Sequence, residues 1–213
     1  MRSVKELLYS FPVYGMTAED LSHSRDNISD VADMLEAGVK VIQYREKEKS
    51  GLEMYRQCVK LREMTADAGA LFLIDDFTDL ALAVGADGVH IGQDDMPIEA
   101  VRNITGDDFI IGLSTHSPDQ ALDAVKRGAD YIGVGPVYET HTKKNVCAPV
   151  GISYLDWVVA NISIPFVAIG GIKKHNVSEV FSHGAGCACL VTGIVGEADI
   201  RAAVSEIAAL KTP

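Results

Sequence analysis

Short, uninterrupted apolar runs alternate along the chain with longer stretches in which apolar residues recur at helical spacing. Several helical stretches end in Gly followed by a small residue, as at Gly38-Val39, Gly85-Ala86 and Gly184-Ala185, and an apolar run then begins. Continuous apolar runs are typical of parallel strands that are buried on both faces. The pattern predicts strands at 12–16, 39–44, 71–75, 88–91, 109–114, 131–135, 165–170 and 187–192.

A helix is predicted before the first strand and after each of the eight strands, at 3–10, 29–37, 52–68, 78–84, 98–104, 118–127, 153–160, 175–182 and 197–210. Eight strand–helix units in about 200 residues match the smaller (β/α)8 barrels. We therefore predict an α/β fold with a single TIM-barrel domain over residues 1–213, consisting of an N-terminal helix (1–10) and the barrel (11–213). A doubly wound open sheet is the alternative. It would need a glycine-rich turn after its first strand, and residues 17–26 contain no glycine.

Composition narrows the classes of function without defining one. The 213 residues carry a formal net charge of −11, which argues against nucleic acid or an anionic membrane as a partner. Small phosphorylated substrates need only a local cationic pocket. We expect a cytoplasmic protein, because no apolar stretch is long enough to span a bilayer and the N-terminus lacks an apolar signal core. Four cysteines are too few for a disulfide scaffold, and a homo-oligomer is compatible with the sequence.

Polar residues follow the second strand in alternation. Gln43, Arg45 and Lys47 share one face of extended backbone. In a (β/α)8 barrel the carboxyl ends of the strands surround the active face. Two cations and an amide there suit a polyanion, because Arg forms paired hydrogen bonds and Lys supplies a point charge. The alternative is a solvated charged loop.

Two acidic pairs follow neighbouring strands, Asp75-Asp76 after the third and Asp94-Asp95 after the fourth. Carboxylates at adjacent strand ends can reach one ion, and Mg2+ binds through one or two carboxylates, water and substrate phosphate. One Asp of each pair could instead cap the helix that follows. Considered together, the pairs favour Mg2+ as a cofactor.

Two later regions suit phosphate oxygens. Residues 136–150 form a connection that is long for an idle loop and contains Thr140, Thr142 and Lys143. Glycines follow the seventh and eighth strands, where this fold commonly binds phosphate through backbone N–H groups. The alternatives are a mobile polar loop and tight turns that need glycine. His90 and His116 also lie at strand ends, but neither is expected to have a Ser or Cys partner for nucleophilic catalysis.

These positions together predict a barrel mouth that binds two anions, a diphosphate and a monophosphate. No activated nucleophile is evident. The pattern therefore indicates Mg2+-assisted departure of a diphosphate, with transfer of the remaining fragment to a second phosphorylated molecule. Cations and metal would stabilise the charge that develops on the leaving group.

Four motifs, in this order and spacing, resemble those of the thiamine phosphate synthase family: residues 43–47 (QYREK), 85–95 (GADGVHIGQDD), 135–143 (GPVYETHTK) and 168–172 (AIGGI). The resemblance runs from near residue 12 to near residue 200. It implies a transferase that joins an aminopyrimidine to a thiazole phosphate. Diphosphate departs, a pyrimidine methylene cation forms, and the thiazole nitrogen attacks it.

The resemblance also implies residue roles, in which the catalytic cations are Arg45, Lys47 and Lys143. The pyrimidine diphosphate would contact Gln43, Arg45, Lys47, Asp75, Ser114 and Lys143, and Mg2+ would bind Asp76 and Asp95. The thiazole phosphate would contact Thr140, Thr142, Gly171, Val191 and Thr192. Tyr44, Glu46, His90 and His141 lie within the same motifs and complete the predicted substrate-binding set. The family usually has Asn where this chain has Asp75.

Alternatives remain on the same fold. A thiazole tautomerase-like isomerase would use one phosphate site and an acid/base side chain such as His116, without metal. A non-catalytic paralogue would bind a phosphorylated metabolite only. A generic phosphate-binding barrel such as an aldolase is a third alternative.

Overall fold

Eight parallel strands, neighbours in sequence order, form the sheet of the computed structural model, which describes residues 4–140, 142 and 147–211. Backbone hydrogen bonds from Tyr14 N to Ala188 O (3.0 Å) and from Ala188 N to Pro12 O (2.9 Å) join the eighth strand to the chain before the first. The sheet therefore closes into the predicted TIM barrel, and the open doubly wound sheet is excluded. The strands are β1 (Gly15–Met16), β2 (Val41–Tyr44), β3 (Leu71–Asp75), β4 (Gly88–Ile91), β5 (Ile110–Thr115), β6 (Tyr131–Val134), β7 (Phe166–Ile169) and β8 (Ala188–Cys189).

Helices surround the barrel and follow the strands in the predicted order. They are α1 (Val4–Ser10), α2 (Asn27–Glu36), α3 (Gly51–Asp67), α4 (Thr78–Val84), α5 (Ile98–Thr105), α6 (Pro118–Lys126), α7 (Gly151–Asn161), α8 (Val177–Ser182) and α9 (Ile200–Ala209). Leu7 and Leu8 of α1 pack with Val41 and Leu71, which begin β2 and β3, so α1 covers the amino-terminal end of the barrel. None of the helices in the described ranges has the length and apolar character needed to cross a membrane.

Two layers of apolar side chains hold the barrel together. The larger layer lies between strands and helices, and a smaller cluster fills the barrel interior. Cys187 and Cys189 belong to the interior cluster and are free thiols. Burial raises the pKa of Cys187 to about 12, so this thiol stays protonated and acts as a small apolar side chain.

Several element ends differ from the prediction because local hydrogen bonds fix them. Helix α2 begins at Asn27, two residues before its predicted start, because Asp26 caps it; the Asp26 carboxylate accepts from Ser29 N at 2.7 Å. Strand β8 ends at Cys189, earlier than predicted. The chain then turns, with Val195 N donating to Val191 O at 2.9 Å. This early turn brings the residues after β8 over the barrel mouth.

Candidate active site

A cavity of about 480 Å3 lies at the carboxyl-terminal end of the barrel, and residues from all eight strands line it. Strand ends converge there because parallel strands in a closed barrel all end on the same side. Ten of the residues predicted from the sequence line this cavity: Gln43, Arg45, Asp75, His90, Ser114, Thr140, Thr142, Gly171, Val191 and Thr192.

A cluster of opposite charges lies where β2 and β3 end. The buried carboxylate of Asp75 is 2.7 Å from Lys47 Nζ and 3.6 Å from Arg45 Nε. Lys47 also forms an ion pair with Asp76 beside the cavity. Partial burial lowers the pKa of Lys47, but the nearby carboxylates outweigh this effect and the net pKa lies above the usual value. Lys47 therefore keeps its charge throughout the physiological pH range.

Gln43 is a buried amide at the cavity wall. Its side chain is 1% exposed, and in the described part of the chain neither amide atom has a hydrogen-bond partner. An unpaired buried polar group costs about 1–3 kcal/mol, so an unpaired amide at a cavity wall is a candidate ligand contact. An amide offers one donor group and one acceptor. A planar heterocycle with adjacent donor and acceptor atoms would satisfy both.

A chain of hydrogen bonds runs beneath the cavity. Tyr14 OH lies 2.9 Å from Tyr131 OH, which lies 2.8 Å from His90 Nδ1. His90 Nε2 lies 2.9 Å from Ser114 Oγ. The expectation that His90 lacks a serine partner is therefore wrong. The parallel register of β4 and β5 pairs His90 with Gly112, which places Ser114 two residues further toward the mouth.

The two phenols at the buried end of this chain stay neutral. Burial raises the pKa of Tyr14 well above its ordinary value, and burial likewise raises that of Tyr131. His90 therefore contacts a neutral phenol at Nδ1, in contrast to the carboxylate that completes a Ser-His-Asp triad. The series of hydrogen bonds from Tyr14 through Tyr131 and His90 can fix the orientation of the Ser114 hydroxyl.

The wall formed by the ends of β7 and β8 brings glycine backbone close to the cavity. Gly170 and Gly171 have φ angles of 96° and 65°, a region that L side chains rarely adopt. A Cβ at Gly171 would lie 2.4 Å from the carbonyl oxygen of Glu139, so only glycine lets the β6–α7 connection approach this turn. Thr192 supplies a hydroxyl to the same wall.

Backbone hydrogen bonds to β7 anchor the beginning of the long connection between β6 and α7. Val137 N donates to Ile169 O and Tyr138 N to Gly170 O, both at 2.9 Å. This anchoring places Thr140 and Thr142 at the cavity, where their hydroxyl oxygens lie 3.3 Å apart. Two predicted site residues, His141 and Lys143, lie outside the described residues.

Asp76 and Asp95 are the carboxylates predicted to hold a metal. Neither caps a helix, because the N-cap residues of α4 and α5 are Phe77 and Pro97. Asp76 has a φ of 62°, which is uncommon for a residue other than glycine. Asp95 accepts a hydrogen bond from Gly92 N at 2.7 Å through one oxygen. In the ranges described, no three His, Cys, Asp or Glu side chains group as a ready-made metal site.

Tyr44 and Glu46 do not line the cavity. Because side chains alternate along β2, Tyr44 points to the helical layer, where its hydroxyl donates to Gln57 Oε1 at 2.7 Å. Glu46 accepts hydrogen bonds from Asn27 Nδ2 at 2.7 Å and from Glu19 N at 3.2 Å. Their contacts tie the loops after β1 and β2 to α2 and α3.

The cavity also contains polar residues that the sequence prediction did not select. Lys173, Tyr14 and Glu139 line it. His116, named from the sequence as the acid/base side chain of the tautomerase-like alternative, also lines it, and its Nδ1 donates to Gly135 O at 2.5 Å. Lys173 follows the predicted glycine turn by two residues, and that position is the signal that could have identified it. Nothing in the sequence identified Tyr14 as a cavity residue, because it lies within an apolar run that is typical of a buried core strand.

The fold defines a TIM-barrel protein whose candidate site lies at the carboxyl-terminal end of its strands, and comparisons with known proteins identify its family. The sequence profile described as "Thiamine monophosphate synthase" matches residues 13–194. A thiamine-phosphate synthase of Pelotomaculum thermopropionicum is 60% identical over 198 residues, covering 93% of this chain and 91% of that protein. One from Lawsonia intracellularis is 52% identical over 195 residues, covering 92% and 90%. A thiamine phosphate pyrophosphorylase structure from Pyrococcus furiosus superposes with a TM-score of 0.88 at 38% identity, covering 96% of each chain.

The chain therefore belongs to the thiamine monophosphate synthase family, as its motifs predicted. The prediction that it is an enzyme of the transferase class is confirmed by the relatives that share half or more of its residues. The tautomerase-like and non-catalytic alternatives are not favoured, because these relatives are all thiamine-phosphate synthases.

Proposed function

We propose that this enzyme transfers the methylene-linked pyrimidine of an aminopyrimidine diphosphate to the ring nitrogen of a thiazole phosphate. The carbon–oxygen bond to the diphosphate breaks with its electron pair leaving on oxygen, and the nitrogen lone pair forms the new bond to carbon. The products are thiamine phosphate and diphosphate. One observation carries the proposal: a single cavity has a cation–carboxylate cluster at the ends of β2 and β3 and a glycine–hydroxyl wall at the ends of β7 and β8.

The first half of the site suits the pyrimidine diphosphate. The unpaired amide of Gln43 matches the adjacent donor and acceptor atoms of an aminopyrimidine ring. Arg45 and Lys47 supply positive charge near the leaving group, and Ser114 supplies a hydroxyl fixed by His90. These groups would act chiefly by positioning the substrate and stabilising the departing charge. Lys143 stays a predicted member of this set.

The second half suits the phosphate of the acceptor. The backbone at Gly170 and Gly171 can approach phosphate oxygens closely, and the hydroxyls of Thr140, Thr142 and Thr192 can donate to them. The apolar side chains of Val167, Ile169 and Val191, from β7 and the residues after β8, also line the cavity. An apolar lining limits the access of water to a reactive cation and so favours attack by the thiazole nitrogen.

Mg2+ belongs to the proposal, and Asp76 and Asp95 fit it. Each has one carboxylate oxygen with no hydrogen bond to the described residues, and carboxylate oxygens are the ligands that Mg2+ prefers. Bound there, Mg2+ would supply charge stabilisation to the departing diphosphate. Lys47 holds Asp76 through an ion pair, and Gly92 N holds Asp95 through a hydrogen bond, so both carboxylates are oriented by the chain itself.

The test is turnover by the purified full chain. Incubation with the pyrimidine diphosphate, the thiazole phosphate and MgCl2 should yield thiamine phosphate and diphosphate in equal amounts, because each bond formed releases one leaving group. Either substrate alone should give no thiamine phosphate. Folded protein that forms no thiamine phosphate with both substrates and MgCl2 would overturn the proposal.

A metal arm of the same assay isolates the role of the carboxylates. Excess EDTA should abolish turnover, and Asp76→Asn or Asp95→Asn should lower it at least roughly tenfold at fixed MgCl2. Asp79→Asn is the matched control, since Asp79 is an exposed carboxylate in the first turn of α4. Turnover that persists after chelation, or an equal loss in the Asp79 variant, would contradict the metal assignment.

A further inference from the structure

Lys173 is a cation of the cavity wall. The residue is half-buried, and its Nζ donates a hydrogen bond to Thr192 Oγ1. Throughout the described ranges Lys173 forms no ion pair. Its sequence neighbour Lys174 is 62% exposed and bonds to Glu206 at 2.7 Å. The two adjacent lysines therefore differ in environment: Lys174 is paired with a carboxylate at the surface, whereas Lys173 faces the cavity and has no ion-pair partner among the described residues.

The backbone around Lys173 is held in place by Asn176. Lys173 N donates to Asn176 Oδ1 at 2.7 Å, and Asn176 Nδ2 donates to Gly171 O at 3.1 Å. Asn176 N in turn donates to Lys173 O at 3.1 Å. These three hydrogen bonds, two made by the side chain of Asn176 and one made by its backbone N–H, fix the turn that carries Lys173. The ammonium group is therefore presented from a supported position rather than from a free loop.

Unused hydrogen-bonding capacity at this place points to an anion. An ammonium has three N–H donors, and only one of them is used by Thr192 in the part of the chain described. Because Thr192 Oγ1 accepts that bond, its own hydrogen remains available to a further acceptor. Two ammonium protons and one hydroxyl proton thus share a side of the cavity. The oxygens of a phosphate monoester can accept from all three, and charge-assisted bonds of this type are strong.

We propose that Lys173 binds the phosphate monoester of the acceptor substrate together with Thr192, and so makes the enzyme specific for the phosphorylated thiazole over the free alcohol. This inference rests on the proposed function, because it states how the same cavity recognises its acceptor. It adds a cationic specificity residue to a wall that otherwise offers hydroxyl and backbone donors.

Lys173→Met tests the inference, because Met retains the unbranched stem and removes the charge. The KM for thiazole phosphate should rise about tenfold to a hundredfold. The KM for the pyrimidine diphosphate and kcat at saturating acceptor should change by less than about twofold. The reason is that the lost contact binds the acceptor equally in the ground state and the transition state. With the thiazole alcohol as acceptor, variant and wild type should perform alike. Lys173→Arg should retain most of the discrimination.

Lys174→Met is the matched control and should leave every constant unchanged. An unchanged KM for thiazole phosphate in folded Lys173→Met would overturn the inference while turnover by the wild type still supports the proposed function. If the wild type itself forms no thiamine phosphate, the proposed function fails, and calorimetric binding of thiazole phosphate then decides: weaker binding to Lys173→Met supports the inference, and equal binding overturns it. Lys173→Gln replaces the Met variant if thermal unfolding shows that the latter does not fold.

Discussion

At the scale of single residues, Asp75 is the carboxylate paired with both cations on the side of the cavity where we propose that the pyrimidine diphosphate binds. Its carboxylate lies 2.7 Å from Lys47 and 3.6 Å from Arg45, the two cations proposed to meet the diphosphate. A buried carboxylate between them is stabilised by both charges. It also competes with an incoming anion for the same charges. We therefore expect ground-state binding of the diphosphate to be weaker than the two cations alone would allow.

Asp75→Asn removes this competing charge while keeping the shape of the side chain. We expect the KM for the pyrimidine diphosphate to fall about twofold to fivefold, the scale of a partly exposed ion pair. The KM for thiazole phosphate should stay the same, because the other wall of the cavity is untouched. Steady-state kinetics with each substrate varied in turn measures both. A collapse of kcat would contradict this account and would show that Asp75 is needed to position Arg45 and Lys47.

Residue-scale features were predictable where they depend on alternation along one strand. Gln43 and Arg45 were found because every second residue of β2 faces the same way, and Tyr44 faces the helices for the same reason. The contact of His90 with Ser114 depends on the register between two strands, which a single sequence does not reveal. The sequence does place Lys173 two residues after the glycine turn, but the direction of its side chain depends on the geometry of that turn.

At the scale of elements, the phenol of Tyr131 links strands that are distant in sequence. It contacts Tyr14 just before β1 and His90 in β4, and His90 contacts Ser114 in β5. Tyr14 and His90 are both buried, so removal of the Tyr131 hydroxyl would cost each of them a hydrogen bond that water cannot replace. The hydrogen-bond chain therefore contributes to stability and also orients a hydroxyl at the site.

Tyr131→Phe should lower the free energy of unfolding at pH 7 by about 1–3 kcal/mol, because it leaves buried polar partners unsatisfied. The folded pKa of Tyr131 lies above the ordinary value of 10.0, so its stabilising contribution is complete below pH 10.0 and is lost as pH rises beyond it. Above that pH the free energy of unfolding of the wild type should accordingly fall. The fall is up to about 1.4 kcal/mol per pH unit for each phenol that keeps its proton when folded and loses it on unfolding.

Urea unfolding between pH 7 and pH 11 measures this effect, with Tyr55→Phe as the control at an exposed phenol (44% exposed). Above pH 10.0 the free energy of unfolding should decline less steeply in Tyr131→Phe than in the wild type, because the Tyr131 phenol is gone. The decline in Tyr55→Phe should match that of the wild type. Parallel declines in wild type and Tyr131→Phe would show that the Tyr131 phenol is not a source of the pH dependence.

Elements were predicted from sequence most accurately where burial is continuous. Strand β3 and helix α4 match their predicted bounds, since an apolar run and a closing glycine define them. The ends of α2 and β8 were missed, because a cap at Asp26 and a turn after Cys189 depend on local hydrogen bonds. The spacing of apolar residues along the sequence predicts neither the cap nor the turn.

At the scale of the whole molecule, loops at the mouth reinforce the closure of the barrel. Strands β1 and β8 have two residues each, and the chain beyond them is joined by Arg25, whose guanidinium donates to Val195 O at 2.7 Å and Glu197 O at 2.9 Å. These bonds hold the β1 and β8 ends of the mouth together. The whole chain has a net charge of −11, so the proposed recognition of anions would depend on local cations such as Arg45 and Lys173.

The central claim is that one barrel mouth binds the two anionic substrates at separate walls, and a crossed kinetic measurement tests it most directly. Arg45→Gln should raise the KM for the pyrimidine diphosphate roughly tenfold or more and leave the KM for thiazole phosphate nearly unchanged. Thr192→Val should do the reverse, with a rise of roughly threefold to tenfold for the thiazole phosphate. If either substitution raises both constants equally, or acts on the other substrate, the two-walled site is contradicted.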